Sequence, residues 1–154
     1  MLDEKARSFV AAPSSGAMPT EHEQIIQRGF DAFETADMDA FTSDWADDIV
    51  FDVSNYEFWP LEQREFHGSE EVVFVFGQFM SNVRSLEVDN LQVTASGPDH
   101  VLALYDEIRR EHGSEQPIAL KIGIVYELRD ETLVHVWVFT DQERAKAFVR
   151  KVSG

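Results

Sequence analysis

Between Leu86 and Phe139 the chain runs through four stretches of alternating apolar and polar residues, joined by segments too short to hold another element. Leu86–Ala95 leads through Ser96-Gly97-Pro98-Asp99 into His100–Glu111. His112-Gly113-Ser114-Glu115-Gln116 turns into Pro117–Arg129, and Asp130-Glu131 turns into Thr132–Phe139. Successive strands joined this tightly pair with their neighbours, so the second half of the chain is predicted to be an antiparallel meander.

The first half reads as helices that can cover such a sheet. Thr20-Glu21-His22-Glu23 has the form of a capping box, and Ile25, Ile26, Gly29, Phe30 and Phe33 follow at helical spacing. Asp37 is placed to cap a second helix with Met38, Phe41 and Trp45 on its buried side, ended by Asp47-Asp48. Ile49–Val53 reads as a strand, and the segment from Ser54 to His67 as a long aromatic-rich loop of the kind that covers a site. Ser69 is placed to cap a third helix carrying Val72, Val75, Phe76, Phe79, Met80 and Val83, and Asp141 a last one carrying Ala145, Phe148 and Val149. Helices gathered around an antiparallel sheet imply an α+β fold. Residues 1–19, ending in a run of small residues with Gly16, Pro13 and Pro19, read as a flexible arm. Residues 20–154 read as a single domain.

Composition removes several classes of function. The chain has no cysteine, which excludes disulfides, thiolate nucleophiles and thiolate metal sites. It carries a net charge of −16, and between Thr20 and Phe66 only Arg28 and Arg64 oppose 13 acids. Such a surface repels phosphate and anionic lipid, so neither nucleic acid nor a membrane is an expected partner. No stretch approaches the ~18 apolar residues of a membrane span, and Asp3, Glu4, Lys5 and Arg7 rule out a secretory signal, which makes the cytoplasm the expected location. His22, His67, His100, His112 and His135 are scattered without ligand spacing, and there is no phosphate-cradling or dinucleotide motif. Hence no metal and no cofactor are expected.

Strand residues of one parity share a face. In the second meander strand one set is Val101, Ala103, Tyr105, Glu107 and Arg109. In the third it is Leu120, Ile122, Ile124 and Tyr126, and in the fourth Val134, Val136 and Val138. The opposite set of the fourth strand, Leu133, His135, Trp137 and Phe139, is also too apolar for water. If the chain's own helices cover one face only, a second subunit should cover the other, so a homodimer through His135, Trp137 and Phe139 is predicted.

The element order and its residues resemble the nuclear-transport-factor-2-like superfamily and its SnoaL-like branch of polyketide cyclases and ketosteroid-isomerase-like proteins. The matching stretches are Gly29-Phe30-Asp31-Ala32-Phe33, Ala36-Asp37-Met38-Asp39, Trp45-Ala46-Asp47-Asp48-Ile49-Val50-Phe51, Phe66-His67-Gly68-Ser69-Glu70-Glu71-Val72 and Val138-Phe139-Thr140-Asp141. The resemblance spans about residues 20 to 150 and implies a cone: a curved sheet wrapped around helices, with an apolar pocket open at one end. Steroid isomerases of this superfamily use a tyrosine and two acids, but the matching positions here are Gly29, Val53 and Ile124. Of the acid–arginine–acid set of limonene-epoxide-hydrolase-like enzymes, one carboxylate remains, as Glu107, with Tyr105 beside it.

By parity and by resemblance, Glu107 and Tyr105 are therefore the candidate catalytic pair. Phe51, Val53, Tyr56, Trp59, Arg109, Ile124, Tyr126 and Val138 are the candidate substrate-binding residues. A carboxylate among apolar walls would act as a general acid or base, with Tyr105 donating to a developing oxyanion. Two other arrangements are open to the same residues: Arg109 pairing with Glu107 at a wet rim, and Tyr56 and Trp59 simply packing a loop. Asp52 has the opposite parity and is expected in solvent or at an interface. The reading is a small apolar or polycyclic molecule undergoing cofactor-free cyclisation, isomerisation or hydration. The alternatives are a non-catalytic ligand-binding or assembly domain and the small accessory subunit of an oxygenase.

Overall fold

The computed structural model describes residues 19–57, 59 and 61–153, so the predicted N-terminal arm lies, apart from Pro19, outside the described residues. Among the described residues six strands form one curved, unclosed sheet, and four helices accompany it. In chain order they are α1 (Glu21–Glu34), α2 (Met38–Thr42), β1 (Trp45–Asn55), β2 (Glu65–His67), α3 (Ser69–Ser81), β3 (Val83–Ser96), β4 (His100–Glu111), β5 (Ile118–Arg129), β6 (Thr132–Phe139) and α4 (Gln142–Ser153). The sheet order is β2-β1-β6-β5-β4-β3. All neighbours are antiparallel except β1 and β6, which run parallel and close the meander back onto the first strand.

The capping box is formed: Thr20 Oγ1 accepts from Glu23 N at 3.1 Å, and Thr20 N donates to Glu23 Oε1 at 2.9 Å. The second oxygen of Glu23 accepts from Ala95 N at 2.6 Å, so the same side chain ties the start of α1 to β3. Ile25 and Ile26 of α1 and Val72 and Val75 of α3 are buried against the concave face of the sheet.

Three local expectations are corrected. The second helix stops at Thr42, and Trp45 belongs to β1, because Trp45 pairs with Leu133 and Leu133 N donates to Asp44 O at 2.7 Å. A five-residue helix cannot outweigh that ladder, and Met38 is left 40% exposed instead of buried. The third helix is capped by the backbone of Gly68, which has φ +92°, and not by Ser69, while Val83 opens β3. Within the aromatic loop, Glu65–His67 forms a short edge strand on β1.

Two irregularities shape the sheet. Asn90, at φ +57°, carries the register shift between Asp89 and Gln92 that bends β3. A shift between Glu127 and Leu128 pairs Leu128 with Leu133 and inserts Val134 as an extra residue, turning Leu133 into the main core with Val136 and Val138. The simple alternation predicted for β6 fails there, because a bulge reverses parity from that point.

The premise behind the predicted dimer does not hold either. Helix α4 packs on the convex face, where Ala145 and Val149 join Val125 and Phe139 in a second apolar cluster. Phe139 is 3% exposed beneath Phe148. His135 stacks on Trp137 at 3.8 Å, and Trp137 meets Phe148 at 4.9 Å. The chain thus covers this part of its outer face itself. Gly123 makes the approach possible, since a Cβ there would stand 2.5 Å from Ala145 Cβ. Gly123→Ala is expected to push α4 off the sheet and cost about 1–3 kcal/mol of stability, measured by denaturant unfolding.

Candidate functional site

The concave face and the helices beside it leave a cavity of 170 Å³. Alternation along β4 sends Val101, Ala103, Tyr105, Glu107 and Arg109 to this face, all of them buried. Ile124 and Tyr126 arrive from β5, Val138 from β6, and Phe51 and Val53 from β1. Phe30 and Phe33 of α1 and Phe76 and Phe79 of α3 complete the aromatic wall.

The segment after β1 is fastened by its own hydrogen bonds. Tyr56 N donates to Val53 O at 3.0 Å, Val53 N to Arg64 O at 2.8 Å, and Arg64 Nη1 to Tyr56 O at 3.0 Å. Trp59 Nε1 donates to Gln63 O at 3.0 Å, and its ring stacks on Phe79 at 5.3 Å. Tyr56 and Trp59 therefore pack tightly and line the cavity at the same time.

The polar end of the cavity is built around Glu107. Tyr56 Oη donates to Glu107 Oε2 at 3.2 Å, and Arg109 Nη1 in turn donates to Tyr56 Oη. Arg109 Nη1 also lies 3.6 Å from Glu107 Oε2, and Arg109 Nε lies 3.6 Å from Glu111 Oε2. The predicted wet rim is corrected here. The ion pair exists, but Arg109 is 1% exposed and Glu107 5%, because Phe79 and Tyr56 cover the guanidinium at 5.0 and 5.8 Å from their ring centres. Cation–π contact with both rings offsets part of the cost of burying that charge. Arg109 stands behind Glu107 and Tyr56 and does not line the cavity; the other nine predicted site residues do.

Burial raises the Glu107 carboxyl above its usual range, opposed by the charge of Arg109 and by hydrogen bonding from Tyr56 and Tyr105. Burial and the neighbouring Glu107 both raise the Tyr56 and Tyr105 hydroxyls, and burial raises Tyr126. All three phenols stay protonated. Asp52 takes the convex side of β1, half-buried, where its carboxylate accepts from Ser54 N at 2.8 Å.

Sequence reasoning missed several lining residues. Gly29, Phe30, Phe33 and Phe79 sit on helix faces that read as core, and Asp44, in the link between α2 and β1, carried no signal. The available clue was Gly29: a residue without a side chain in the middle of an apolar stripe leaves space beside it. Among the described residues no three acids or histidines are grouped to hold a metal ion, and no helix is long and apolar enough to cross a membrane.

The comparisons with known proteins agree on the fold. An NTF2-like protein of unknown function from Burkholderia pseudomallei superposes with a TM-score of 0.69 at 13% identity, covering 84% of this chain and 98% of that one. A putative polyketide cyclase from Xanthomonas campestris pv. campestris gives 0.64 at 18% identity, covering 85% and 98%. TerC, crystallised with polyporic acid, gives 0.69 at 9% identity, covering 84% and 98%. None of the curated proteins is similar enough in sequence to count as a match. The SnoaL-like domain pattern, however, runs through residues 26–136, from the middle of α1 to the core of β6. That match covers more than half of the chain, and the chain belongs to the SnoaL-like domain family.

Proposed function

We propose that the chain binds a small, mostly apolar, ring-containing molecule in the cone and moves a proton on it, using only its own side chains. The observation that carries this reading is Glu107: one carboxylate, 5% exposed, placed at the wall of an aromatic cavity. Burial brings its proton affinity toward the range in which an acid or base works at neutral pH. Glu107 takes a proton from a carbon beside a carbonyl, or from an attacking hydroxyl, and returns it elsewhere on the same molecule. The Tyr105 hydroxyl donates to the oxygen on which negative charge gathers, while Tyr56 keeps its single proton on Glu107 Oε2. Isomerisation, cyclisation and hydration all fit that sequence of proton movements.

A second reading, binding without turnover, has one observation in its favour. Glu107 Oε2 is already engaged by Tyr56 and Arg109, which commits part of the carboxylate to structure.

The cavity itself is tested at Gly29, where an added Cβ meets nothing within 4 Å. Gly29→Ala is expected to stabilise the fold by about 0.5–1 kcal/mol, since alanine is the better residue inside a helix. Gly29→Leu is expected to fill the cavity and weaken binding of 2-naphthol, a bicyclic enone or polyporic acid at least tenfold. Quenching of Trp45 and Trp59, both of which line the cavity, reports the binding. Equal affinity in wild type and Gly29→Leu would remove the cavity from consideration as the binding site.

A further inference from the structure

The reading of Glu107 as an acid–base group makes its immediate electrostatic surroundings the next question, and the inference here rests on that reading. Residues 107, 109 and 111 share one face of β4, spaced roughly 6.5–7 Å apart along the strand. They place one guanidinium between two carboxylates. The Nη1 edge of Arg109 faces Glu107 and Tyr56, and the Nε edge faces Glu111, each carboxylate oxygen lying 3.6 Å away. Arg109 is 1% exposed, so water does not screen it, whereas the Glu111 side chain is 37% exposed and keeps contact with solvent. Arg109 Nε is buried without a hydrogen-bond partner, which leaves Glu111 as the one group engaging that edge among the described residues.

We propose that Glu111 is a positioning residue for Glu107: by holding the far edge of Arg109 it shares the arginine's single charge, and so sets the pH at which Glu107 exchanges its proton. One buried positive charge cannot fully compensate two negative ones. Glu111 neutralises Arg109 from the rim, and the cavity carboxyl is then free to exist in both protonation states. Without Glu111 the whole charge of Arg109 falls to Glu107, which is pinned as an ionised, structural carboxylate.

The other groups around Glu107 do not supply this control. Its own strand offers Tyr105 and Arg109, and the segment after β1 offers Tyr56, both phenols being held protonated. On the neighbouring strands Val88 and Leu120 lie opposite it, and α3 contributes the Phe79 ring over Arg109. Tyr126 and Asp44 face the same cavity, Asp44 beside Arg28 at 3.4 Å.

The experiment is a carboxyl-carbon NMR titration of Glu107 in the ligand-free protein, assigned with Glu107→Gln, in wild type, Glu111→Gln and Glu111→Asp. Glu111→Gln is expected to lower the Glu107 midpoint by about one pH unit or more, the scale set by an opposite charge at this range. Glu111→Asp keeps the charge and should give a smaller displacement in the same direction. An unmoved or raised midpoint in both variants overturns the proposal, whatever happens to their stability. The titration needs no substrate, so its outcome is separate from the fate of the proposed function. Coupling without turnover would leave Glu111 tuning a carboxylate that serves binding alone.

Discussion

Glu107→Gln should leave the protein folded and able to take up a cavity ligand, and should slow proton transfer by about 10²–10⁴-fold. Gln matches the shape of Glu and can still accept from Tyr56 Oη, while Arg109 keeps Glu111 as its counter-charge. What disappears is the only carboxylate among the described residues of the cavity wall that is buried against apolar side chains. The decisive comparison is turnover against binding for one substrate. A large fall in kcat with an unchanged dissociation constant assigns Glu107 to chemistry. A fall in affinity alone assigns it to recognition, and then the binding-domain reading takes over. The pH profile supplies a second check. Because burial raises the carboxyl above its usual range, a reaction in which Glu107 is the base should gain rate as pH rises through that raised value, and the rising limb should vanish in the variant.

What could be read from the chain beforehand follows from how locally each feature is determined. β4 and β6 have the boundaries predicted for them, His100–Glu111 and Thr132–Phe139, because Gly97-Pro98-Asp99 and Asp130-Glu131 punctuate strong alternation. Helix α1 is announced by a capping box that is complete within four residues. The edge strand Glu65–His67 is three residues long, too short for any period, and exists only because β1 offers it a ladder. The burial of Arg109 is of the same nonlocal kind. Parity puts it on the face of Glu107, but what seals it is Tyr56, 53 positions earlier in the chain, and Phe79 from α3. For the same reason the convex face looked unpartnered: nothing in β6 itself says that α4 will fold back over Phe139. The candidate site was legible as a set of strand residues, and its helical wall was not, since Phe30 and Phe79 obey the same periodicity as any core residue.

Arg109→Met should be the most destabilising single change at the polar end of the cavity. Methionine fills much of the space under Phe79 but leaves Glu107 with no buried positive charge, and stranding one partner of a buried pair costs about 3–5 kcal/mol. The cost has a defined pH dependence. Glu107 has a folded-state proton affinity above its usual 4.5, so the folded protein binds the proton more tightly than the unfolded chain does. Its contribution is therefore most favourable below the unfolded value and is lost as pH rises through the folded one. Removing Arg109 raises the folded value further and extends that loss to higher pH. At neutral pH the variant must either hold Glu107 protonated against its ordinary affinity or bury its charge unpaired, so the deficit is largest there. At pH 4 that protonation cost disappears, and what remains is the lost contact with Tyr56 and Phe79. Thermal unfolding should show the variant melting about 6–20 °C below wild type at pH 7, with the gap narrowing toward pH 4. The double variant Glu107→Leu with Arg109→Met removes both charges and should recover most of the loss, as replacement of a buried ion pair by apolar residues commonly does. A constant deficit from pH 4 to pH 8, or a double variant no better than the single one, would mean that Arg109 is held for its packing and that the charge of Glu107 is compensated elsewhere.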